Sequence, residues 1–183
     1  MLTKPSIAVL VDCWTPTHYE IELFYNDIIK FLNNTPKIKT IILASYDVDD
    51  DNLSTTNLWY KNSMTELDHS QKTADIILNY INTDKLQIAM TAFDDFTNYL
   101  GKHPEIKNIY FMGQSWNNCI HKRPIGIESC GNINKNIIVN QECVWNAETN
   151  ESLQIEKDRV HDRYVKIKDN IYQIICYNPP NTC

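Results

Sequence analysis

At 183 residues the chain is long enough to bury most of its apolar surface in one core and short enough to form a single domain, residues 1–183. Its 43% hydrophobic and 22% charged residues are ordinary for a globular protein and argue against disorder. A net charge of -6, with only Lys122 and Arg123 forming a local basic spot, excludes a nonspecific nucleic-acid binder.

The first element is Ser6-Ile7-Ala8-Val9-Leu10-Val11, a continuous apolar run of the kind found in strands buried on both faces. Thr17-x-x-Glu20 has the pattern of a helix capping box, and Ile21, Phe24, Tyr25, Ile28 and Leu32 follow at helical spacing. Asn33-Asn34-Thr35-Pro36 ends that helix, and Thr40 to Ala44 is a second buried strand. The polar segment from Asp47 to about Asp68 reads as a long loop. Ala74, Ile77, Leu78 and Ile81 mark a second helix, Lys85 to Met90 a third strand, and Phe93, Phe96 and Leu100 a third helix closed by Gly101.

Asn108 to Met112 is a fourth strand, followed by a short helix carrying Cys119, and Asn136 to Asn140 is a fifth strand. At the C-terminus, Val160, Tyr164 and Ile167 fit a helix leading into a last strand, Ile171 to Tyr177. The same residues alternate around Asp169-Asn170 as a hairpin would. The regular alternation of strands and helices upstream favours the helix. The expected fold is therefore α/β, with a mostly parallel six-stranded sheet between helices on both faces.

No apolar run is long enough to span a bilayer, so no membrane partner is expected. Met1-Leu2-Thr3-Lys4-Pro5 leads into the first strand without a signal-peptide pattern. The six cysteines contain no C-x-x-C pair and read as free thiols in a cytoplasmic protein.

In a doubly wound sheet, ligands bind outside the carboxyl ends of the strands. That rule nominates Asp12 to Trp14, Ala89 to Phe93, and Gly113 to Cys119. Asp12 follows an apolar strand, where partial desolvation suits a carboxylate to accept a proton; a turn-capping role fits its position equally. Cys119 lies in the first turn of the expected helix, where free N–H groups favour a thiolate. Free cysteines are also among the most buried residues, and on position alone that plainer reading narrowly prevails.

Several segments taken together resemble the isochorismatase-like cysteine hydrolases, the family of nicotinamidases and N-carbamoylsarcosine amidases. IAVLVDCW is similar to the family's apolar strand ending in a base Asp, AMTAFDDFTNYL to its Ser-Ala-Phe segment, and NIYFMGQSWNNC to its nucleophile turn. NNCIHKRPIGI resembles a subgroup in which Asn-x-Cys precedes Arg-Pro-x-Gly, and VNQECV stands where the family has a fifth strand ending in an acidic residue.

The resemblance implies the three-layer α/β/α arrangement of that family and cleavage of an amide or other C–N bond in a small-molecule substrate. Cys119 would attack the carbonyl carbon, and Asp12 would take the thiol proton and pass it to the leaving amine. The backbone amides of Ser115 and Cys119 would form the oxyanion hole, next to a cis Gln114–Ser115 peptide. Trp14, Phe93 and Trp116 would line the substrate pocket, and a homo-oligomer is implied. At the family's catalytic lysine position this chain has Gln87. Lys85 moved into place by a bulge, or Arg123 one helical turn beyond Cys119, would restore the missing charge. Otherwise the chain is a catalytically impaired homologue that acts as a ligand-binding or assembly protein.

No cofactor is expected. Asp47, Asp49 and Asp51 alternate like the start of a calcium loop but lack its glycine and closing glutamate, so no metal site is assigned. His18 and His161 read as surface or core residues rather than ligands.

Overall fold

The computed structural model of the chain describes residues 4–11, 13, 19–44, 80–81, 84–90, 92–114, 116–146, 149, 151–155 and 162–177. Asp12, Trp14, Ser115, the Thr17 cap, His18, His161, the Asp47–Asp51 loop and nearly all of the expected second helix lie outside those residues.

The protein is an α/β fold built on a mixed sheet. Four strands are β1 (Ser6–Val11), β2 (Ile38–Leu43), β3 (Leu86–Ala89) and β4 (Asn108–Gln114). Four more are β5 (Asn136–Asn146), β6 (Glu151–Ser152), β7 (Asp162–Lys168) and β8 (Ile171–Tyr177). The described helices are α1 (Tyr19–Asn33), α2 (Phe93–Lys102) and the single turn α3 (Ile127–Cys130). Strand order is β3-β2-β1-β4-β5-β8-β7, with β6 paired to β5. Strands β1 to β5 run parallel, whereas β8 and β7 add as an antiparallel hairpin.

Alternation along the buried strands explains the two apolar clusters. Ile7, Val9 and Val11 of β1 pack with Phe96 and Leu100 of α2 and Ile127 and Cys130 of α3. Ala8 and Leu10 face the other way, with Phe24, Tyr25, Ile28 and Leu32 of α1. A side-chain ladder fixes the strand starts. Gln173 Nε2 donates to Asn136 Oδ1 at 3.3 Å, Asn136 Nδ2 to Asn108 Oδ1 at 2.9 Å, and Asn108 Nδ2 to Ser6 Oγ at 3.1 Å.

Three expectations are corrected. Among the described residues the sheet has eight strands rather than six, and it is mixed rather than mostly parallel towards β7. The C-terminal region forms a hairpin, with Val165 paired to Gln173 and Lys168 to Ile171. Tyr164 and Ile167 occur at helical spacing, but the run also alternates, and Asp169-Asn170 supplies the tight turn, with Asp169 at φ 27°. Helix α2 continues through Gly101 to Lys102 instead of closing at the glycine.

Strand β5 is also longer than its apolar run suggests. Opposite the two-residue step from Phe111 to Gly113 it takes five, from Val139 to Val144. In that bulge Asn140 Oδ1 accepts the Glu142 N–H at 3.2 Å, and Asn140 Nδ2 donates to Cys143 Sγ at 3.4 Å. Glu142 therefore lies in a mid-strand bulge, not at a strand end. No described helix is long and apolar enough to cross a membrane.

Candidate functional site

Strand β4 ends beside β1, with Gly113 paired to Val11. Gly113 has φ 127°, and a Cβ there would lie 1.9 Å from the Val11 carbonyl oxygen. Only glycine lets the chain leave the sheet so close to its neighbour. Gln114 follows, buried, and its Nε2 donates to the Tyr25 hydroxyl of α1. Burial raises the Tyr25 pKa, as does nearby Cys13, so the phenol stays neutral and holds the turn as a hydrogen-bonding group.

Trp116–Ile120 then forms a π-helical turn rather than the start of an α-helix. Cys119 lies within it, half-buried against the cluster that contains Phe96 and Ile127. Its carbonyl accepts the Arg123 N–H at 3.2 Å, which fixes Arg123 above it. The guanidinium returns to the thiol, Nη2 donating to Cys119 Sγ at 3.6 Å. A positive charge at that range favours thiolate over thiol. Pro124 stops the turn, and Gly126 passes so near the His121 carbonyl that a Cβ would lie 2.5 Å from its oxygen.

This setting separates Cys119 from the three other thiols whose side chains are described. Cys13, Cys130 and Cys143 are buried. Burial pushes Cys130 up to about 12 and raises Cys143 well above the ordinary thiol range. Both are poor nucleophiles where they sit.

The remaining expected residues fall in different places. Phe93 opens α2, half-buried against the same cluster as Cys119. Trp116 is only 3% exposed and meets the His121 ring edge-on at 4.4 Å, so it forms a wall rather than an open stacking surface. Gln87 is not brought to the turn. It pairs with Ile41, which pairs with Ala8, which pairs with Tyr110. It is therefore level with Tyr110, three residues before Gly113. That is about 10 Å below the strand's end and about 14 Å across the sheet from β4. Its side chain is exposed.

Lys85 is further away still. It is buried at the start of β3, with Nζ donating to Ile38 O at 2.7 Å and Thr35 O at 3.3 Å. It caps the α1–β2 turn at the opposite end of the sheet. Among the described residues the cation beside Cys119 is Arg123, the substitute suggested by its spacing of four. Sequence reasoning missed the Tyr25–Gln114 bond. The available signal was a tyrosine within an otherwise apolar helical face, whose hydroxyl requires a partner once buried.

Among the described residues no three His, Cys, Asp or Glu side chains cluster as a metal site. Comparison of the chain with protein-family models, with curated proteins and with solved structures gives no match.

Proposed function

We propose that the protein is a small-molecule cysteine hydrolase of the isochorismatase-like type, with its helices and sheet in that family's three-layer arrangement. The observation that carries this reading is the Arg123 guanidinium 3.6 Å from the Cys119 sulfur, on a turn at the carboxyl end of β4. The Cys119 thiolate attacks the carbonyl carbon of an amide or ureido substrate. The oxyanion is held by the backbone amides of Ser115 and Cys119. Asp12 carries the thiol proton to the leaving amine, and water then hydrolyses the Cys119 thioester. Trp14 and Phe93 border the substrate, with Trp116 behind them. A cytoplasmic homo-oligomer is part of the same reading.

A second reading is favoured by one observation. Gln87 lies mid-sheet and exposed, while Lys85 is committed to the far end, so β3 sends no cation towards Cys119. On that reading the protein binds a ligand or assembles without turnover.

Amine or ammonia release from a library of amides and ureido compounds distinguishes the two. The hydrolase reading expects turnover of at least one member, a covalent acyl adduct on Cys119 after acid quench, and no turnover by Cys119→Ala. Turnover that survives in Cys119→Ala overturns the assignment of Cys119 as nucleophile, and no turnover of any member supports the ligand-binding reading instead.

A further inference from the structure

A groove of about 570 Å³ opens on the face of the sheet that carries α1, a volume typical of small-molecule sites. It runs between the C-terminal end of α1, the β5 bulge and the β7–β8 turn. Its floor is a pair of rings, Phe31 and Tyr110, with centroids 5.5 Å apart and planes tilted by 51°. Tyr110 is 1% exposed, and its hydroxyl has no hydrogen-bond partner among the described residues. The hydroxyl oxygen is not among the fully buried unpaired atoms, so the small exposed part of Tyr110 presents it to the groove as an open donor. Burial pushes its pKa to about 12, which keeps it a donor.

The rest of the lining narrows the chemistry. Lys37 and Lys168 stand exposed in the groove, and neither pairs with a carboxylate among the described residues. The amides of Asn140 and Asn170 are already occupied, whereas the exposed Asn34 at the rim is not bonded through its side chain among the described residues. Asn140 is bonded to the Glu142 N–H and Cys143, and Asn170 Nδ2 donates to Glu142 Oε1 at 2.6 Å. Uncommitted donors therefore prevail over an aromatic floor. Glu142 and Asp169 in the same lining oppose a multiply charged ligand.

We propose that this groove binds a small planar aromatic carboxylate. The ring packs on Phe31, which Tyr110 backs from beneath, and the carboxylate is met by the Tyr110 hydroxyl and the Lys37 and Lys168 ammonium groups. The site is independent of the hydrolase reading, because Tyr110 belongs to the α1 cluster and Cys119 packs against the other.

The test is titration of the full chain with 2-naphthoate, followed by calorimetry. Saturable one-to-one binding is expected. Tyr110→Phe, which keeps the ring, should weaken it about fivefold, and the double variant Lys37→Met/Lys168→Met by a similar factor. Uncharged 2-naphthamide should bind at least about tenfold more weakly. Saturating 2-naphthoate should leave the alkylation rate of Cys119 unchanged. Absence of saturable binding, equal affinity in both variants, or protection of Cys119 by the ligand overturns the proposal.

Discussion

Gly113 shows how a single residue type sets the geometry of the nucleophile turn. Both its φ of 127° and the 1.9 Å approach to the Val11 carbonyl exclude a side chain. Gly113→Ala is therefore expected to cost about 3 kcal/mol or more, read as a lowered denaturant midpoint. A change within about 0.5 kcal/mol would contradict that geometry. Two residues beyond Cys119, His121 carries a pH dependence. Burial, assisted by Lys122, lowers its pKa from 6.5 to about 4. Between those values the unfolded chain binds the proton that the folded chain refuses, so stability falls as the pH drops through that window. The loss approaches about 3 kcal/mol below pH 4 and is absent above pH 6.5, where the ring is neutral in both states. His121→Gln should flatten the dependence of the denaturation midpoint between pH 6.5 and 4 relative to wild type; equal slopes in the two proteins contradict the assignment. At this scale the sequence was informative where spacing is local. The glycine-to-cysteine interval and the four-residue step from Cys119 to Arg123 could both be read directly. Lys85 could not, because its partners lie about 50 residues earlier in the chain.

Elements were legible when one periodicity dominated. Ser6–Val11 and Ile171–Tyr177 form strands with the bounds their apolar patterns indicate, and α1 stops at Asn33, at the head of the Asn-Asn-Thr-Pro segment. The region before Ile171 carries both periods, and the Asp169-Asn170 turn decides for the hairpin. That turn is also clasped to the β5 bulge. Gln141 N–H donates to Asn170 O at 2.9 Å, Gln141 Nε2 to Asn170 Oδ1 at 3.1 Å, and Asn170 Nδ2 to Glu142 Oε1. No local pattern announces such a clasp, since it joins residues 28 or 29 apart. Asn170→Ala removes both side-chain bonds and should cost about 1–2 kcal/mol. It should also speed amide hydrogen exchange in β7 and β8 more than in β1. Uniform acceleration across the sheet would mean that the clasp does not hold the hairpin.

For the molecule as a whole, the alternation of strands and helices was sufficient to indicate an α/β sheet whose first five strands run parallel. The antiparallel extension beyond β5 was not, because pairing between distant strands leaves no mark on either alone. The sheet register also separates the two residues that sequence placed near the chemistry. Gln87 is level with Tyr110, and Lys85 is at the opposite end from Cys119. Among the described residues Arg123 is the cation within hydrogen-bond range of the thiol, and the proposed function has as its central claim that this pairing makes Cys119 an activated nucleophile. The most direct measurement is the rate of iodoacetamide labelling of Cys119 at neutral pH, followed by peptide mass in wild type, Arg123→Met and Lys85→Met. The account predicts that Cys119 labels faster than free glutathione, that Arg123→Met slows it about tenfold, and that Lys85→Met leaves the rate unchanged while lowering stability. Labelling no faster than glutathione and unaffected by Arg123→Met would contradict it.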